Sequence, residues 1–259
     1  MDLGLTGRTA IVCASSRGLG KACARALAAE GVAVVINGRD AEKLAATAEE
    51  LRAATGATVT PVVADLNTED GRAALLAACP EPDILVNNNA GPPPGRFEDW
   101  DHAAWLAALE ANLLAPVLLI RAVVGGMRTR RFGRIVNITS AMVKAPHSLM
   151  GLSTAARSAL TAVCKGLSRE VAADNVTINN LLPERIDTDR QRFMAELRSA
   201  MGGITIEAAY AEMAASIAAG RLGTPEEFGA ACAFLCSAQS GYVSGQNLQI
   251  DGGSYPGVF

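Results

Sequence analysis

Residues 12–20, Val-Cys-Ala-Ser-Ser-Arg-Gly-Leu-Gly, join a short β-branched apolar run to a segment in which Leu19, Cys23, Ala26 and Leu27 recur at helical spacing. A glycine-bearing turn from a buried strand into a helix N-terminus aims backbone N–H groups and the helix dipole at one spot, which suits a phosphate. The next strand-like run ends Asn37-Gly38-Arg39. A dinucleotide site selective for NAD usually has a carboxylate there to accept from the ribose hydroxyls. Here Arg39 follows a glycine, and Arg17 projects from the turn, so two guanidinium groups could grip a 2′-phosphate. The pattern favours NADP(H) over NAD(H), against the plainer reading of two solvated surface arginines. Further along, Pro116 lies four residues after Asn112 and has no N–H. The carbonyl of residue 112 is therefore expected to lose its helical partner and to be free for a water or a side chain, unless the proline only serves packing.

These residues need a scaffold, and the chain alternates strand-like and helix-like segments along most of its length. Strands are predicted at about 8–13, 32–37, 58–63, 83–88, 133–139, 176–181 and 246–250. Helices are predicted at about 18–30, 40–54, 68–78, 99–127, 152–173 and 224–237. Such alternation implies right-handed crossovers and a parallel sheet covered on both faces. Asp40 can cap the second helix, and Thr224-Pro225-Glu226-Glu227 combines a cap, a proline at the first helical position and a glutamate at the third.

Composition narrows the class. With 259 residues, 50% hydrophobic and 19% charged, the chain can bury one large α/β core, 1–259 reading as a single domain. A net charge of −3 gives no footprint for nucleic acid. The arginines at 128, 130, 131 and 134 read as a solvated connection between a helix and a strand. The apolar stretch 103–124 is interrupted by Glu110, Asn112, Pro116 and Arg121, which argues against a membrane span. Six cysteines without a Cys-x-x-Cys pair, and only two histidines, argue against a metal site and for reduced thiols in a cytoplasmic protein.

The order of further motifs carries a resemblance. Asp65-Leu66 follows the third strand, and Leu-Val-Asn-Asn-Asn-Ala-Gly at 85–91 forms and follows the fourth. Asn112 lies in a long helix, Asn-Ile-Thr-Ser at 137–140 ends the fifth strand, Pro183 ends the sixth, and Asp251-Gly252-Gly253 follows the seventh. From end to end the chain resembles the short-chain dehydrogenase/reductase family, most of all its 3-oxoacyl-[acyl-carrier-protein] reductase-like branch. The resemblance implies a Rossmann-type doubly wound sheet in the order 3-2-1-4-5-6-7. It also implies cofactor contacts from Ser15, Ser16, Arg17, Gly18, Leu19, Arg39, Asp65, Leu66, Asn88, Ala90, Ile186 and Thr188, a substrate lid at about 184–222, and a homotetramer.

The same resemblance exposes a departure. The family's reaction uses a tyrosine thirteen residues after a substrate-orienting serine, and a lysine four further on. Counting from Ser140 gives Ser153 and Arg157. An aliphatic hydroxyl is a far weaker acid than a phenol near ~10, and an arginine does not shuttle protons. Asn112, Ser140, Ser153 and Arg157 are the expected catalytic set, with Lys144, His147 or Tyr210 as substitute proton donors. Pro183-Glu184 replaces the family's Pro-Gly, and the lid's Phe193, Met194 and Leu197 suit a hydrophobic or acyl substrate. Gly-Pro-Pro-Pro-Gly at 91–95 is expected to form a stiff rim. The expected activity is an NADP-dependent carbonyl or 3-oxoacyl reductase with a non-standard proton donor. The alternatives are a catalytically impaired nucleotide-binding protein, or a lyase or isomerase reusing the pocket.

Overall fold

The computed structural model describes residues 1–258. Its strands are β1 (Thr9–Val12), β2 (Ala33–Gly38), β3 (Val59–Val63), β4 (Ile84–Asn87), β5 (Gly133–Ile138), β6 (Val176–Pro183) and β7 (Asn247–Ile250). They form one parallel sheet in the order β3-β2-β1-β4-β5-β6-β7. Successive residues of each central strand face opposite sides. Val12, Val86 and Val136 pack on one face, with α1 (Gly18–Ala29), α2 (Ala41–Thr55) and α9 (Pro225–Cys236). Ile11, Leu85 and Ile135 pack on the other, with α3 (Glu69–Ala78), α5 (Ala115–Arg130) and α6 (Gly151–Val171). Asp40 caps α2 through Lys43 N at 3.0 Å, and Thr224 with Glu227 forms the expected capping box of α9.

Four asparagines stand side by side in register across the sheet. Asn87 of β4 donates to Asn137 of β5 (2.9 Å), Asn137 to Asn180 of β6 (2.9 Å), and Asn180 to Asn247 of β7 (2.8 Å). A buried amide is costly when its hydrogen bonds are unmade, and the side-chain N–H groups of Asn87, Asn137 and Asn180 are each answered by the next residue's oxygen.

Three expectations are corrected. The helix foreseen at 99–127 is two helices, α4 (His102–Leu109) and α5, joined by a π-turn at Glu110–Leu114. Two helices, α7 (Asp189–Gly202) and α8 (Ile206–Ala215), fill a region with no predicted helix, and they share a small core of Ala195, Ala209 and Met213. Arg134 is not part of a solvated connection. It is buried in β5, where its guanidinium donates to the carbonyls of Ser237, Gly133 and Asn175 and stacks on Phe132. The other three arginines do lie at the surface, paired with Asp174, Glu170 and Glu81. The run His102–Arg130 is long and apolar enough to cross a membrane by length and composition. Its Leu119, Ile120, Val123 and Met127 are buried in the core on one sheet face.

Candidate functional site

The turn after β1 is held from within. Ser15 is buried, and its hydroxyl donates to Val12 O (2.6 Å) while accepting from Asn37 N (3.0 Å). It shapes the turn, and its oxygen is committed to that task. A Cβ on Gly20 would lie 2.4 Å from Ala14 O, so only glycine lets the helix start this close to the strand end. Ala14 itself takes φ +44°, a left-handed conformation that glycine adopts more readily. The backbone of Gly38 lies against Ser16, whose carbonyl accepts from Thr47 (2.8 Å).

The N-terminus of α1 has no side-chain cap and no acidic residue in its first turn. Its orphan N–H groups at Gly18 and Leu19 therefore face outward without a competing anion, which fits a phosphate. Thr188 approaches from the start of α7, its methyl 4.0 Å from where a Cβ on Gly18 would stand. Ile186 is buried beside it and bridges to Gly223. Arg17 pairs with Asp189 at 3.2 Å and Arg39 with Asp65 at 3.9 Å, both guanidinium side chains about two-thirds exposed. Exposed pairs of this kind are worth little and exchange readily for a phosphate. Leu66 is buried below Asp65.

The three asparagines after β4 have three separate tasks. Asn87 belongs to the cross-strand row, and Asn88 donates to Ala14 O (3.1 Å), tying this loop to the phosphate turn. Asn89 donates to Asn67 Oδ1 (3.0 Å) and to Ala111 O (3.2 Å). That second bond explains the π-turn. In an i→i−5 register Pro116 stands opposite Ala111, so its missing N–H exposes the carbonyl of Ala111 rather than that of residue 112. Asn112 is buried, and its amide reaches Ala90 O (3.4 Å) and Ala108 O (3.3 Å). A cavity of about 20 Å³ lies against Asn87, Asn88, Asn112 and Arg157. It has room for one water, and Asn87 Oδ1 and Arg157 Nε are buried there without a protein partner.

Ser153 and Arg157 sit one turn apart on α6, and the guanidinium donates to the buried Ser153 hydroxyl. Burial pushes Arg157 down to about 10, with Arg190 contributing in the same direction. Ser140 lies two residues beyond β5 and accepts from Met142 N at 3.2 Å. The substitute donors are otherwise engaged. Lys144 lies over the Tyr255 ring, and His147 is exposed with Nδ1 accepting from Leu149 N. Desolvation, followed by the nearby Asp187 carboxylate, raises the Tyr210 phenol. The rim at 91–95 is in place: Gly95 N donates to Leu149 O (3.0 Å), and Trp100 packs against Gly95 and Gly151.

A family model described as Enoyl-(Acyl carrier protein) reductase matches residues 13–255. The chain belongs to the short-chain dehydrogenase/reductase family of oxidoreductases. It is 33% identical to the 3-oxoacyl-[acyl-carrier-protein] reductase FabG of Vibrio cholerae, covering 98% of this chain and 99% of that protein. It is 30% identical to the NADPH-dependent reductase BacG of Bacillus subtilis, over 98% and 100% of the two chains. The crystal structure of L-sorbose reductase from Gluconobacter frateurii, complexed with NADPH and L-sorbose, superposes with a TM-score of 0.94 at 28% identity over the whole of both chains.

Within this short-chain dehydrogenase/reductase fold, two features were given no role by the sequence. Glu184 is mostly buried at the end of β6, where desolvation raises its carboxyl despite the Arg185 guanidinium 3.4 Å away. Arg190, on the first turn of α7, donates to Pro92 O at 3.3 Å. Only the Pro-Glu departure pointed to the first, and nothing local marks the second.

Proposed function

We propose that the protein is an NADP-dependent reductase of carbonyl compounds, 3-oxoacyl-reductase-like in scaffold, in which Ser153 and Arg157 stand where the family's tyrosine and lysine stand. One observation carries this reading: the uncapped α1 N-terminus opens between Arg17 and Arg39, and β2 ends without a carboxylate. Arg17 and Arg39 would release Asp189 and Asp65 to take the 2′-phosphate. Gly18, Leu19 and Thr188 would hold the diphosphate, and Asp65, Leu66 and Ala90 would border the adenosine and nicotinamide halves. NADPH, when bound, supplies a hydride to a carbonyl carbon.

The chain's own residues meet the charge that forms on oxygen. Arg157 donates to Ser153 Oγ, which leaves the hydroxyl proton free to point at a substrate oxygen. A fixed cation one hydrogen bond away stabilises the developing oxyanion, an effect that grows as water is excluded, and the Ser153 hydroxyl passes its proton to that oxygen and regains one from solvent. Ser140 orients the substrate, and α7 and α8 form the lid. The protein is read as a cytoplasmic homo-oligomer. Its six described thiols are unpaired, and α4 and α5 leave Leu106 and the π-turn Leu114 exposed.

The departure at Ser153 favours a second reading, a nucleotide-binding protein without turnover. Titration with NADPH and NADH, followed by NADPH oxidation across 3-oxoacyl thioesters and simple ketones, separates the two. The expected result is tighter binding of NADPH and oxidation on at least one carbonyl. Arg39→Asp should weaken NADPH about 10- to 100-fold and leave NADH unchanged. Equal loss for both cofactors would overturn the assignment of Arg39. Tight binding with no oxidation on any carbonyl would leave the second reading.

A further inference from the structure

The segment from Glu184 to Thr188 borders two separate spaces. At its end Thr188 stands beside Gly18, at the α1 N-terminus. Between them the Ile186 side chain turns to Gly223, where a Cβ would meet it at 2.6 Å, and there a cavity of about 250 Å³ opens. Ile186, Ile217 and Ile250 line it together with Glu184, Arg221 and Glu227. Ile186 and Ile217 are buried, whereas Arg221 and Glu227 are about half exposed, so the isoleucines mark the inner end and the ion pair marks the mouth. No residue of the turn after β1, and none of the asparagines after β4, reaches this space.

Backbone contacts fix its shape. Glu184 N donates to Ile250 O (3.0 Å), Gly223 N to Arg185 O (3.1 Å) and Asp187 N to Gly223 O (2.8 Å). Opposite, Gly252 takes φ +61°, and a Cβ there would lie 2.7 Å from Ile217, so the turn after β7 closes on this wall only as glycine. Arg185 takes φ +49°, a left-handed conformation uncommon outside glycine. Such a backbone persists where its surroundings over-determine it, and it is met most often at ligand sites.

The polar groups of the cavity differ in what they have left to offer. Asp251 accepts from Gly253 N and Tyr255 N, both at 3.0 Å. Both oxygens of Glu227 accept from Arg221 (2.6 and 2.9 Å). Glu184 accepts no side-chain hydrogen bond among the described residues, and its ion partner is its neighbour Arg185, with Nε at 3.4 Å. A mostly buried carboxylate with unused lone pairs is costly, and with Asp251 and Glu227 nearby the charge around it disfavours a second anion. An apolar cavity of about 150 Å³ takes benzene, so this one has room for a six-carbon body and a polar head.

We propose that this cavity is a second ligand site, taking a compact primary alkylammonium whose head donates to Glu184 and whose hydrocarbon body lies against Ile186, Ile217 and Ile250. An ammonium has three donors and no acceptor, which matches a carboxylate with free lone pairs.

The probes are cyclohexylammonium and cyclohexanol, which share a ring and differ in the charge of the head. Calorimetry measures each against the protein alone and against the protein saturated with NADPH. Wild type should bind the ammonium at least about 10-fold more tightly than the alcohol, and Glu184→Gln should weaken the ammonium about 10- to 100-fold while changing the alcohol by less than about 3-fold. Arg185→Ala removes the competing cation and should tighten the ammonium about 3-fold. Ala219→Leu, at an exposed position of the wall, fills the space and should weaken both probes. Unchanged NADPH binding by each variant shows that it is folded. Equal binding of ammonium and alcohol to wild type would overturn the site, as would an ammonium affinity indifferent to Glu184→Gln. Displacement of the ammonium by NADPH would put it in the cofactor cleft and overturn the proposal too. So would Glu184-dependent binding of Mg²⁺ without binding of the ammonium.

Discussion

The site has two ends, and both are built on arginines. At the phosphate end, Arg17 and Arg39 are mostly exposed and rest on exposed carboxylates. At the other end, Arg157 is drawn inward and Arg190 is half-buried, and no carboxylate pairs with either among the described residues. The first pair gives up little by changing partners, so it can admit and release a highly charged cofactor. The second pair holds its charge at a cost; on the reading proposed above, Arg157 would have that charge ready for a developing oxyanion. The same side chain serves exchange in one place and preorganisation in the other, and burial makes the difference.

The largest test of this contrast removes the buried charge. Arg157→Gln should lower kcat about 10²- to 10³-fold while changing the NADPH Kd by less than about 10-fold, read by steady-state kinetics and fluorescence titration. The pH profile sharpens the same point. Burial holds Arg157 at about 10, so activity should be full below that pH and be lost as pH rises through it. A lysine starts lower, near ~10.4, and burial lowers it further, so Arg157→Lys should move the alkaline limb to lower pH. An unmoved limb would mean that another group controls it.

At the phosphate end the backbone matters more than the charges. Gly20→Ala forces a methyl against Ala14 O and should raise the NADPH Kd about 10-fold or more, with a melting temperature lower by about 5 °C. The smallest effect is expected between the two ends. Asn89→Ala strands the Ala111 carbonyl in the π-turn and should cost about 1 kcal/mol, a loss of about 2–4 °C in Tm, with both cofactor and substrate binding retained. A loss of turnover far beyond that would place the π-turn in the reaction itself.

Much of this was legible beforehand. The seven strands lie within one or two residues of the runs that announced them, and the five central ones, buried on both faces, leave a continuous apolar mark. The turn from β1 into α1 was readable because its glycines and helix entry are local. The helices α7 and α8 were missed because α7 is polar on most of its faces, so its short apolar stripe gave no clear period. Pro116 signalled a disturbed helix, but not its register. The i→i−5 pattern depends on Asn89, a residue from another element that lies 22 positions away from the carbonyl it satisfies. Arg190 was invisible for the same reason. A lone arginine carries no signal until folding sets it beside a second one.

The asparagine row across β4, β5, β6 and β7 has a consequence for manufacture of the site. Side chains alternate sides along a strand, so a slip of one residue in any of the four would turn its amide to the opposite face and strand one neighbour at the ends of the row or two in its middle. The row therefore acts as a datum line. Asn88, Ser140 and Glu184 each follow within a few residues of it, on loops that leave three adjacent strands. Their heights above the sheet are gauged from one shared mark, so the distances between them are inherited from the strands and do not have to be set by the loops.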